Sequence, residues 1–272
     1  MCIYINLIWH ILISERKMIS TMIILNTNMN ISMETAASNT QIKKTFLEVY
    51  EKDLKERYNP PTILPIPDGA PTDVPLVIMQ SLSNHTQLIL TKSSISIGTG
   101  YDDNFNTDWN KCEQHLLEKV KDVFLIIEAI ESIKINYIGL IAQIIEDENT
   151  DASEYIFDNL LKFTSNKSVY DTECRLTYVL KDEYYINLDL QNIRLFDGKP
   201  VMTGSETTSI NKKANIENKL AITIDINNRY SHNFNKENRE IGKESVDQIV
   251  LYTNNIVNNL GSIVKGDVEI ED

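Results

Sequence analysis

Residues 107–145 read TDWNKCEQHLLEKVKDVFLIIEAIESIKINYIGLIAQII, and this stretch decides the fold class. In its first part Trp109, Cys112, Leu116, Val120, Val123, Phe124, Ile127 and Ile130 trace one helical stripe of about six turns. Thr107 is the candidate N-cap, and Asp108 puts negative charge in the first turn, where the helix dipole favours it. The second part, 132–145, predicts a long strand. Its alternation slips at Ile138-Gly139, so either both faces are buried or a bulge sits at the glycine. A long helix followed directly by a long strand points to helices packed on a sheet.

Working outward, the same signals recur on both sides. Upstream, Ile42, Phe46, Leu47, Tyr50 and Leu54 predict an amphipathic helix over 41–56, stopped by Pro60-Pro61. Six of the seven prolines fall between Pro60 and Pro75, which predicts an extended crossing into the first strands. Residues 76–82 and 86–90 read as a hairpin around Ser83-Asn84-His85, followed by a strand through Ile95 and Ile97. Downstream, 151–163 predicts a short helix, and 173–180 with 184–193 a hairpin around Lys181-Asp182-Glu183. Asp197-Gly198 signals a turn and 203–216 a polar loop. Leu220, Ile222, Ile224 and Ile226 alternate with polar or small residues as a half-buried strand does. After a polar loop over 228–238, Ile241 to Leu260 predicts the last helix, with Gly261 at its C′ position.

The expected fold class is therefore α+β, mostly antiparallel, with two meanders that each end in a long helix. The repeated order suggests two sheet-helix lobes, about 60–131 and 132–262, duplicated or fused in a single domain over 33–265. No sequence repeat accompanies it. Five of the seven methionines lie in the first 33 residues, and residues 1–32 read as a poorly packed extension or an upstream start, with the fold beginning near Met33. The apolar run 2–13 is too short to span a bilayer, so no membrane span is expected. Residues 266–272 read as an acidic tail.

The order of elements resembles a sporadically distributed group of uncharacterised prokaryotic proteins. The likeness rests on Pro60-Pro61, Asp108-Trp109, Tyr137-Ile138-Gly139-Leu140 and Ile224-Asp225-Ile226, and it spans about 40–265. The proline stretch is longer here, and the apolar strand after it differs. The resemblance implies an architecture and no activity.

Composition narrows the function. At 272 residues, 42% hydrophobic and 24% charged, the chain has material for a sizeable core. Thirty-nine acidic against 26 basic residues, a net charge of -13, argue against nucleic-acid binding. Three scattered cysteines make neither a disulfide framework nor a zinc site and point to a reducing cytoplasm. The 38 Ile and 28 Asn reflect A/T-rich codons, as in a low-GC bacterium or its phage.

No catalytic motif is present. Gly98-Thr99-Gly100 opens like a dinucleotide fingerprint, but Asp103 stands where the third glycine belongs. His10, His85, His115 and His232 have no metal-binding or triad spacing. Asp189 and Asp225 lie on polar faces of predicted strands, and on neighbouring strands the two carboxylates could share Mg²⁺. The densest charge feature is Glu146, Asp147, Glu148, Asp151, Glu154 and Asp158, a candidate face for a basic partner.

The leading expectation is a non-enzymatic cytoplasmic protein, without cofactor, that binds and inhibits or regulates another macromolecule, as in phage–host conflict. The alternatives are a metal-dependent enzyme using Asp189 and Asp225, and a small-ligand binder with a cavity between sheet and helix.

Overall fold

The strand that joins the two halves of the molecule is formed by residues expected to be an extension. In the computed structural model, which describes residues 22–146, 151–162, 165–197, 201–202, 208–209, 215–234 and 241–264, β1 runs from Met22 to Glu34. It is hydrogen-bonded on both sides. Thr27, Met29, Ile31 and Met33 turn into the core, while Asn26, Asn28, Asn30 and Ser32 alternate on the other face. The expectation of a poorly packed segment up to residue 32 is therefore corrected for 22–32. The period-2 pattern is as regular as in the clearest downstream strand, and the density of methionine obscures it.

The elements that follow are α1 (Asn39–Val49), β2 (Thr62–Ile63), β3 (Val77–Gln80), β4 (Thr86–Leu90), β5 (Ser94–Gly100) and α2 (Trp109–Ala129). The second half runs β6 (Lys134–Glu146), α3 (Ala152–Tyr155), β7 (Glu173–Leu180), β8 (Tyr184–Asp197), β9 (Val201–Met202), β10 (Thr208–Ser209) and β11 (Asn215–Asn227). It closes with α4 (Arg229–Phe234), α5 (Lys243–Asn258) and α6 (Leu260–Ile263). Both α1 and α3 continue into a wider, π-helical turn, at Tyr50–Leu54 and Ile156–Leu161.

The class is α+β with one large antiparallel sheet. Nine strands lie in the order β2-β3-β4-β5-β1-β6-β11-β8-β7, and β9 and β10 form a separate pair. The two meanders join edge to edge where β1 pairs with β6. Each half presents its first strand to the last strand of its own meander, β1 to β5 and β6 to β11.

Helix α2 lies against β5 and α5 against β6 and β11; α2 also touches both α1 and α5. Their apolar stripes (Leu116, Val120 and Val123 on one; Val246, Ile249 and Val250 on the other) close over the inward residues of the sheet as one continuous core. The cap of α2 is Asp108 rather than Thr107: its carboxylate accepts from the amides of Asn110 and Lys111. At α1 a capping box holds, with Ser38 and Gln41 bonding each other's backbone. Gly261 lies within α6 instead of ending α5.

The slip in β6 is placed differently from the expectation. The bulge falls at Asn136, between the pairs Ser32–Tyr137 and Met33–Ile135, and Gly139 stays in register opposite Asn30. The glycine answers a steric demand: a Cβ there would stand 3.1 Å from Cβ of Asn227. Residues 229–234 form α4, where the sequence reads as loop.

Candidate functional site

A nine-stranded antiparallel sheet has two faces, and α1, α2 and α5 share one of them. The alternate residues of every strand therefore line a second face, open across its middle among the described residues. The strand registers fix which side chains stand side by side. One row runs Gln80, Gln87, Gly98, Asn28, Ile141, Asp225, Asn187, Thr177 across eight strands. The row on one side runs Ser96, Asn30, Gly139, Asn227, Tyr185, Val179, and that on the other Gly100, Asn26, Gln143, Thr223, Asp189, Arg175.

Most of these side chains are amides, hydroxyls or glycine, and several bond laterally. Asn26 Nδ2 donates to Gln143 Oε1 at 2.7 Å. Thr177 Oγ1 donates to Asn187 Oδ1 at 2.9 Å. Asn187 and Asn227 donate to the two carboxylate oxygens of Asp225, at 3.1 and 2.9 Å. These bonds, all but the Asn227–Asp225 one crossing between strands, hold the side chains in place, so the face is pre-organised.

Helix α4 turns over one end of this face. Tyr230 stacks edge-on to Tyr185 at 5.2 Å and meets Phe234 at 4.8 Å. The His232 ring lies 5.5 Å from that of Tyr137, and the Arg229 guanidinium lies 5.4 Å from the same ring. Phe234 is 65% exposed, a large apolar ring at the rim of a polar surface.

The residues singled out from the sequence fall in three places. Asp189 and Asp225 do lie on neighbouring strands and the same face, in adjacent rows of the ladder. Asp225 is committed to two amides, while Asp189 Oδ1 is buried with no hydrogen bond among the described residues. No cluster of three or more His, Cys, Asp or Glu suited to a metal occurs among the described residues. The acidic run is dispersed: Glu146 is buried at the end of β6, and Glu154 and Asp158 are exposed. Asp151 is the N-cap of α3, accepting from the Ser153 amide and hydroxyl and from Asn218. Burial opposes its charge, but these bonds hold its carboxyl below the usual range. Asp147 and Glu148 lie outside the described residues. Gly98-Thr99-Gly100 sits inside β5, away from the start of α2, so it is strand and not a phosphate loop.

Two buried polar clusters belong to the scaffold. Asp122 on α2 is fully buried, accepts from the Tyr58 hydroxyl at 2.8 Å and pairs with Arg57 at 2.8 Å. Burial raises its carboxyl above the ordinary value, and the Tyr58 and Arg57 contacts only partly offset this. Burial also raises the Cys112 thiol, to about 12; the thiol donates to the Phe105 carbonyl. His115 lies 3.0 Å from Thr86 Oγ1 beside Tyr101 and Phe105, and burial, with Lys119 nearby, lowers its pKa.

No protein-family model and no curated protein matches the chain. No described helix is long and apolar enough to cross a membrane.

What reading by motif misses is the open face itself. Its signal is present in Asn26-Thr-Asn-Met-Asn-Ile-Ser32, polar amides at every second position of a strand.

Proposed function

We propose that the chain is a non-enzymatic binding protein that presents the open face of its sheet to another macromolecule and acts on that partner by occupying it. The observation that carries this reading is the row, mostly amides and hydroxyls, crossing eight strands on the face opposite α1, α2 and α5, open across its middle among the described residues. A sheet face of this breadth offers far more area than a small ligand uses. Its chemistry fits a folded protein surface. Within the three rows Arg175 is the one cation against Asp189 and Asp225, which disfavours a phosphate backbone. The acidic residues Glu154 and Asp158 lie outside these rows and would add to the attraction of a basic partner at the periphery.

The architecture belongs to the same proposal. Each half reads strand, helix, meander, long helix, and we take the two as copies of one unit joined at the β1–β6 seam. The seam would then be the centre of the binding face, with Asn28 and Asn30 on one side and Ile141 and Gly139 on the other.

The test is capture of partners by the full chain and by Asn28→Arg and Thr223→Arg. Both positions face away from the core, so each variant should melt within about 0.5 kcal/mol of the parent. A stoichiometric partner retained by the parent and lost by both variants is the expected result. A partner held equally by all three chains would move the site elsewhere.

A further inference from the structure

The two edges of the sheet are built differently. One ends in β2, two residues long, among Pro60, Pro61, Pro65 and Pro67, which cannot donate to a further strand. The other ends in β7, eight residues with an unbroken register to β8 and neither proline nor lysine from Glu173 to Leu180. No described strand lies beyond it.

The free hydrogen-bonding groups of β7 can be assigned. Asn192 N donates to Thr172 O at 3.2 Å, which makes 172 and 192 a bonded pair. Alternation then turns the backbone of Cys174, Leu176 and Tyr178 towards β8. The N–H and C=O of Glu173, Arg175, Thr177 and Val179 point outward.

We propose that this edge pairs, antiparallel, with the same edge of a second copy of the chain, about a two-fold axis at Cys174. In that register the outward groups of Glu173 meet those of Arg175 from the other copy, so opposite charges stand directly across from each other twice. Shifting the axis to Arg175 would oppose two arginines, and that register is disfavoured. The arrangement is isologous and closed, as a two-fold dimer must be. It would also join the open faces of the two copies into one continuous sheet, without covering either.

Sedimentation equilibrium of the full chain tests this, because the pairing makes separable demands. The parent should be a dimer at tens of micromolar, on the order expected of a small polar interface. Arg175→Glu should weaken it at least about tenfold, and the exchange Glu173→Arg with Arg175→Glu should restore it. Glu173→Pro removes an outward N–H that meets Arg175 of the other copy and none used by β8, so it should give a folded monomer by circular dichroism. Mild oxidation should link Cys174 to its copy, since unbonded antiparallel positions bring Cα atoms to about 4.5 Å. A parent that stays monomeric at about 100 µM overturns the proposal. So does a dimer indifferent to both Arg175→Glu and Glu173→Pro, or one whose cross-linked peptides do not include Cys174.

Discussion

A chain beginning at Met33, where the methionine-rich segment ends, should not fold. It loses Ile24, Met29 and Ile31, each 2% exposed or less. At about 1.5–3 kcal/mol per buried side chain, that is roughly 5–9 kcal/mol. It also loses nearly all of a strand paired at seven positions with β5 and twelve with β6. Net contributions of roughly 0.5–1.5 kcal/mol per hydrogen bond then exceed the 5–15 kcal/mol by which a domain is usually stable. Far-UV circular dichroism and a thermal melt of 33–272 against the full chain make the comparison. A cooperative transition within a few degrees of the parent would refute the central placement of β1. Two neighbouring substitutions sharpen the test. Ile31→Ala should cost about 2–5 kcal/mol, lowering Tm by roughly 4–20 °C, whereas Asn30→Ala should stay within about 0.5 kcal/mol. Equal effects at both positions would mean that the strand does not divide core from open face.

Two further outcomes follow from the buried polar groups. Asp122→Ala should destabilise by about 2–4 kcal/mol in denaturant melts, below the full penalty of a broken buried pair because Arg57 is 37% exposed and can hydrate; Asp122→Asn, which keeps an acceptor for Tyr58, should cost less. His115 has a lowered pKa in the folded state, so the unfolded chain binds its proton first as pH falls. Its stabilising contribution is present above the ordinary value of about 6.5 and is lost as pH drops through the folded value. Tm should therefore fall from pH 7.5 to 5, and His115→Gln should make that fall shallower.

The elements were legible wherever local period and packing agree. The α2 stripe is visible because its apolar residues must meet one sheet face, and β11 because its isoleucines occur at every second position. What local reading cannot supply is which strands become neighbours. The seam between β1 and β6 joins residues 100 or more apart, and nothing in either segment names the other. Asp189 and Asp225 were readable as polar-face residues, and Asn227 is local to Asp225, but the second amide on that carboxylate, Asn187, is brought there by the β8–β11 register. The acidic run looks continuous only along the chain. The fold spends Asp151 on a helix cap and buries Glu146 at a strand end.

The open face argues for where selectivity resides. On the core side the two halves are interchangeable in chemistry: Met29 and Ile31 in β1, Ile138 and Leu140 in β6, all buried apolar residues of one core. On the open side they differ. The first half shows Ser96, Asn28 and Asn30, neutral and small. The second half shows Asp225, Asp189, Tyr185 and Tyr137, acidic and aromatic, with α4 folded over its end. If the halves are copies, their cores have kept one solution to packing while their exposed rows have diverged. On the proposed reading, a partner docked across the β1–β6 seam would meet two unlike surfaces and would bind in one orientation. Charge reversal in the second half should then impair recognition more than the same change in the first, because carboxylates and rings discriminate between partners where uncharged amides mainly supply hydrogen bonds.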